Sequence, residues 1–343
     1  MKILEYQKDF IITPCAETEI VEGELLAHRF PMKVLNKMNP PHMATIADMN
    51  GGVEIQLYGE IDQIEISLRV LDSDGFGLTA EYMYGDRKLL PRWVLDGNDK
   101  KLQTKKIDIP HDVDRENPLR FLYPTHSKIQ INEIKVNKEA VISQNKWMYN
   151  RLKPPLRWVI HGDSITQGAN VSCPSNTFVE ICARELGLCP INLGIGGYGC
   201  AELEIAEYLS SIENVDILSL HIGTNCISKR EDLSSFRKRL KKYLEIILKA
   251  HSDIPVVLAT PIYRNLGGNE PKSISQPYRE VMNETAHELR NDFNNLYLID
   301  GLSLISSDKG MMGDYLHLAD ESAVYYANNL KQLMTKILDR YSK

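Results

Sequence analysis

Arg157-Trp158-Val159-Ile160-His161 runs directly into Gly162-Asp163-Ser164-Ile165-Thr166-Gln167-Gly168. The first five residues fit a short buried strand, and the glycine after them permits a sharp turn toward a helix. Two glycines bracket Ser164 on this strand-to-helix connection. A serine there exposes its hydroxyl at the sheet edge and can turn its own backbone N–H toward a developing oxyanion. The competing reading is a serine that caps a helix after a tight turn. A phosphate cradle fits poorly, because the lysine of G-x-x-x-x-G-K-[ST] is missing.

The pattern downstream alternates strands with helices. Phe178, Ile181, Cys182 and Leu186 share a helical face, and Val215–Ile222 is a mostly apolar strand. Leu233, Phe236, Leu240, Leu244 and Ile247 form a helix stripe, as do Tyr326, Leu330, Leu333 and Ile337. Pro255–Thr260 and Leu296–Asp300 read as further strands. This alternation predicts an α/β fold with a mostly parallel sheet covered on both faces and functional groups at the C-terminal strand ends. Upstream, residues 1 to about 145 follow period two instead. Val53, Ile55 and Leu57 alternate with polar residues, and so do Ile64, Ile66, Leu68 and Val70. Ile129, Ile131, Ile134 and Val136 do the same with one slip. Turn residues such as Asn50-Gly51-Gly52, Asp74-Gly75 and Asp96-Gly97-Asn98 punctuate these runs. The prediction is an all-β, jelly-roll-like sandwich over residues 1–150 and an α/β domain over residues 151–343, with the change at Pro154-Pro155.

Three more segments fall at the ends of the α/β strands or before its last helix. Asn192-Leu193-Gly194-Ile195-Gly196-Gly197-Tyr198-Gly199 can present backbone N–H groups to a ligand, or is a flexible turn. In Gly223-Thr224-Asn225-Cys226 the Asn225 amide can donate to an oxyanion, or the segment is a simple turn. In Gly313-Asp314-Tyr315-Leu316-His317 a carboxylate three residues before an imidazole can hold one ring nitrogen and leave the other facing a nucleophile. A surface loop is the bland alternative.

In this order the four segments resemble the blocks of the SGNH or GDSL-type hydrolases. The resemblance covers about 156–340, and its most specific part is Gly162–Gly168. It implies a three-layer α/β/α, flavodoxin-like fold and serine esterase chemistry without a metal. Ser164, Asp314 and His317 would then be the catalytic residues, and the Ser164 N–H, Gly197 N–H and Asn225 amide would form the oxyanion hole. Cys226 departs from the family pattern, which usually places Asp after that Asn. The two-domain order also looks like carbohydrate esterases of family 2. The polar, glycine-rich run Tyr263–Pro271 follows a strand end and is expected to wall the site, with Arg264, Tyr198 and Asp163 contacting substrate. A polar wall fits a small acyl group on a polar alcohol. The leading expectation is therefore deacetylation of an acetylated oligosaccharide. An acyltransferase, a lipase or thioesterase, a non-catalytic carbohydrate-binding protein and a flavodoxin-like cofactor binder are the alternatives.

Composition narrows the classes further. The chain has 343 residues with 40 basic and 46 acidic ones, a formal net charge of −6 that argues against a general nucleic-acid binder. No apolar run approaches a membrane span, and charges interrupt the start MKILEYQKDFIITPCAETEI. A cytoplasmic protein without membrane partners is expected. The six cysteines form no C-x-x-C pair and show no zinc-site spacing, so reduced thiols and no metal or cofactor are expected. The expected partner is a small-molecule ester, and a homo-oligomer stays open.

Overall fold

The computed structural model describes residues 1–143, 155–264, 272–305 and 316–341. The chain forms two compact units. The first comprises Met1–Leu35, Thr45–Pro155 and Ser172–Ser175; the second comprises Asn36–Ala44, Leu156–Val171 and Asn176–Lys343. The expected junction at 150/151 falls outside the described residues. Two short segments also belong to a unit other than the one their place in the sequence suggests, and side-chain contacts explain both. Asn39 N bonds the Tyr198 hydroxyl at 3.4 Å, which ties the 36–44 segment to the second unit. In the first unit Ser175 N donates to the Glu81 carboxylate at 3.0 Å, and Arg92 donates to Ser172 Oγ at 3.2 Å.

The first unit holds two large antiparallel sheets and a two-stranded pairing of Gly59–Glu60 with Val141–Ile142. One orders Gln103–Asp108, Gln63–Ser73, Ser127–Val136, Glu24–His28 and Glu17–Val21, with Lys2–Ile3 also on Ser127–Val136. The other orders Ile11–Thr13, Glu54–Leu57, Leu119–Leu122, Thr79–Tyr84 and Arg87–Val94. The alternating Ile64, Ile66, Leu68 and Val70 are buried in one cluster with Ile55, Leu57 and Phe121 of the other sheet, as a sandwich requires. The slip between Ile131 and Ile134 is a register shift in the pairing with Gln63–Ser73, a bulge that restores the inward face after one extra residue.

The second unit is built on five parallel strands: β1 (Leu156–Gly162), β2 (Leu188–Gly194), β3 (Ile217–His221), β4 (Val256–Ala259) and β5 (Leu296–Ile299). Their order in the sheet is 2-1-3-4-5, the flavodoxin-like winding. The helices are α1 (Ser164–Gln167), α2 (Phe178–Leu186), α3 (Leu203–Ser210), α4 (Thr224–Lys229), α5 (Leu233–Ala250), α6 (Lys272–Leu289) and α7 (Asp320–Tyr341). Trp158, Ile160, Ile217, Val257 and Ile299 join one buried cluster with Phe178, Cys182, Tyr326 and Leu330 from α2 and α7. Val159, Leu218, Leu220, Val256 and Leu258 alternate with those residues and are buried as well, as are Phe236, Leu240 and Leu244 of α5. Burial on both faces explains why these strands read as near-continuous apolar runs. Capping fixes where the helices begin. Thr177 accepts from Glu180 N at the start of α2, and Asp232 accepts from Ser235 N at the start of α5. The sheet order reverses at β1, so the crevice lies beyond the C-terminal ends of β1 and β3. Ser164 follows β1 and Asn225 follows β3.

Candidate active site

Asp163, not Ser164, caps α1. Its carboxylate accepts from Ile165 N at 2.9 Å, and Gly168 closes the helix in the left-handed region. Ser164 is thereby the first helical residue, and its backbone N–H is one that the helix leaves unbonded. Its hydroxyl meets His317, with Oγ and Nε2 2.7 Å apart. Residues 153 positions apart in sequence are thus in the geometry a hydroxyl needs to pass its proton to an imidazole. Asp314 and the preceding Gly313 lie outside the described residues.

The glycine-rich segment after β2 is held by side chains on both sides. Asn192 donates to Thr166 O at 2.7 Å and accepts from Gly194 N at 2.9 Å, while Gln167 accepts from Gly196 N at 2.7 Å. Gly194 packs so closely on the Thr166–Gln167 backbone that a Cβ would collide with it. Gly197 has φ +75° and is exposed, so its turn favours glycine, and its N–H has no acceptor among the described residues. On the facing side, one N–H of the Asn225 amide donates to Tyr198 O at 2.6 Å. The amide has a second N–H, which has no acceptor among the described residues. Lys229 donates to Gly197 O at 3.1 Å, and Gly223 N donates to Gly199 O at 2.7 Å. These bonds tie both ends of α4 to the glycine segment.

Three side chains expected at the substrate make hydrogen bonds within the protein. Asp163 is buried, and burial raises its carboxyl pKa above the usual range despite bonds from Thr224 and Ile165 and the nearby His317. Tyr198 is buried, and its hydroxyl donates to Glu204 at 2.7 Å. Arg264 is buried and donates to Thr224 O at 3.3 Å and Ser228 Oγ at 3.0 Å, bracing α4. A residue type that suits an alcohol also suits a buried hydrogen-bond network, and sequence position alone does not separate them. Most of the polar run Tyr263–Pro271 lies outside the described residues.

Sequence reasoning missed His221, which ends β3. Its Nδ1 lies 2.6 Å from the Tyr326 hydroxyl, and its Nε2 has no partner among the described residues. Together with Asp163, Thr166, Thr224, Thr260 and Tyr326 it lines a small pocket. Burial pushes its pKa down to about 3. An unfolded histidine, with a pKa of ~6.5, takes up a proton that the folded ring refuses. The stability present above pH ~6.5 is therefore lost as pH falls toward 3, by up to about 1.4 kcal/mol per pH unit from this group. His221→Gln should flatten that part of a plot of denaturation midpoint against pH; an unaltered plot would assign the acid sensitivity elsewhere.

The arrangement can activate a hydroxyl and offer amide hydrogens nearby. Residues 156–335 match the model of the GDSL-like lipase/acylhydrolase family. The chain belongs to this family. As a GDSL-like hydrolase it is an esterase or acylhydrolase of the SGNH group. Solved structures share the two-part architecture at low identity. The salicylyl-acyltransferase SsfX3 from a tetracycline biosynthetic pathway superposes with a TM-score of 0.83 at 17% identity, covering 96% of this chain and 95% of that one. A protein assigned as a GDSL-like lipase from Bacteroides ovatus gives 0.76 at 22% identity over 96% and 95%. An active-site mutant of a family two carbohydrate esterase from Clostridium thermocellum gives 0.65 at 13% identity over 85% and 93%. No curated protein sequence is a significant match to the chain.

With the oxyanion role that the family resemblance implies for Asn225, Asn225→Ala should lower kcat by about 100–1,000-fold with a small change in KM. Steady-state kinetics on an aryl acetate check this; a loss confined to KM would make Asn225 a binding residue.

Proposed function

We propose that the protein is a serine esterase for short acyl groups on polar alcohols, with acetylated carbohydrate as its substrate class. The observation that carries the reading is the 2.7 Å approach of Ser164 Oγ to His317 Nε2 at the C-terminal end of the parallel sheet. Ser164 Oγ attacks the ester carbonyl carbon as its proton passes to His317. The carbonyl oxygen becomes an oxyanion that receives the Ser164 N–H, the Gly197 N–H and the spare N–H of Asn225. Collapse expels the alcohol, which takes the proton from His317 and leaves an acyl-serine. Water then attacks the acyl carbon, giving its proton to His317, and Ser164 leaves with that proton. Asp314, by the family resemblance, orients the imidazole and stabilises its charged form.

Carbohydrate enters through the likeness to a family two carbohydrate esterase and through the polar run that follows β4. The test is acetate release from acetylated mannose, xylose and glucose oligomers, set against esters of long fatty acids. Faster turnover of at least one acetylated sugar supports the substrate class; equal or faster cleavage of long-chain esters removes it while leaving the esterase chemistry in place. A second reading is transfer of the acyl group to an alcohol other than water, favoured by the 0.83 TM-score to an acyltransferase. Adding a sugar acceptor and measuring acylated acceptor against free acetate separates the two.

A further inference from the structure

Cys226 stands where the family usually carries Asp, and its side chain is fully buried. Its sulfur lies close to the thiol of Cys200, which is 4% exposed. Cys200 lies three residues after Gly197, and Cys226 directly follows Asn225. The third group is Glu231. Both thiol sulfurs and a Glu231 carboxylate oxygen lie within 4.8 Å of one another. We propose that Cys200, Cys226 and Glu231 form a binding site for a soft divalent cation of the zinc class, joining the glycine segment to the helix that bears Asn225.

The donor set has the chemistry of such a site. Two thiolates and one carboxylate are preferred zinc ligands, and a fourth position is left to water. In a tetrahedral zinc site with bonds of ~2.3 Å to sulfur, the sulfur atoms sit about 3.8 Å apart. The donor atoms already lie within 4.8 Å of one another, so small side-chain adjustments close the site. The backbone is arranged for it. Glu231 N donates to Cys226 O at 3.1 Å, and Arg239 Nε donates to Cys200 O at 2.8 Å. Arg239 also holds both Glu231 oxygens, at 2.5 and 2.6 Å, which fixes the carboxylate. Glu202, close behind, accepts from Cys200 N at 2.8 Å.

The charges balance on binding. The ion displaces two thiol protons to solvent, so a divalent cation with two thiolates adds no net charge, and the Arg239–Glu231 pair stays neutral. Glu231 and Arg239 are partly exposed, with side chains 19% and 30% accessible, and provide the side from which an ion enters. Sequence spacing hides the cluster, because its members sit at 200, 226 and 231 and meet only in the fold.

The test uses cobalt(II) added to the reduced, chelator-treated full-length protein. One cobalt per chain should bind, with a thiolate-to-cobalt charge-transfer band and the strong visible bands of a tetrahedral ion, both lost on adding zinc. Two protons should be released per ion. Cys200→Ser and Cys226→Ser should each abolish the charge-transfer band, while Cys15→Ser keeps it. Should the two serine variants fail to fold, the wild type alone decides: zinc must protect two thiols per chain from a thiol-specific reagent. No charge-transfer band in the wild type, or a band that persists in both variants, or unchanged thiol reactivity with zinc, overturns the site. Each of these readouts is independent of ester hydrolysis, so failure here leaves the catalytic reading untouched.

Discussion

Ser164→Ala is expected to lower kcat for hydrolysis of a short aryl acetate on the order of 10⁴–10⁶-fold. The variant removes the oxygen that lies 2.7 Å from His317 Nε2 and leaves the rest of the site in place. Asp163 still caps α1, because its bond runs to the backbone of Ile165. The backbone N–H of residue 164 also remains. Thermal unfolding should therefore shift little, since a partly exposed hydroxyl is removed and no cavity is made. A residual rate above the uncatalysed one should survive, because amide donors still receive the oxyanion when water attacks. A loss of less than tenfold with unchanged folding would remove Ser164 from the chemistry.

His317→Ala should cost a similar factor. The hydroxyl is a weak nucleophile unless a base takes its proton, and the imidazole is the group that meets it. The informative experiment is the double variant. Groups that act as one unit do not add, so Ser164→Ala combined with His317→Ala should be about as slow as either alone. If the two losses instead multiply, the residues act in separate steps, and the proton path from Oγ to Nε2 is not the route.

The strand-ending motifs were legible because their chemistry and their topology coincide. Ser164 and Asn225 follow β1 and β3, and a 2-1-3-4-5 parallel sheet opens its crevice between those strand ends. The period-two runs Ile64–Val70 and Val53–Leu57 likewise announced a sandwich, because each residue's parity decides whether it meets the other sheet. What escaped the sequence depends on distant partners. Tyr198 looked like a ligand contact until Glu204 took its hydroxyl, and Arg264 until Thr224 and Ser228 took its guanidinium. Asp163 turned inward to cap the helix that the competing reading had Ser164 capping. His221 sits in an apolar strand and carried no local signal; only its pairing with Tyr326 on α7 marks it. The thiols of Cys200 and Cys226 fall in the same class, 26 positions apart in sequence and within 4.8 Å of one another in space.

The most direct measurement is covalent labelling with a serine-directed phosphonate, read by intact mass and peptide mapping. One phosphonyl group per chain, on Ser164, blocked in Ser164→Ala and greatly slowed in His317→Ala, is the predicted result. A folded wild-type protein that takes no label, or takes it at a different residue with hydrolysis unimpaired, would contradict the account.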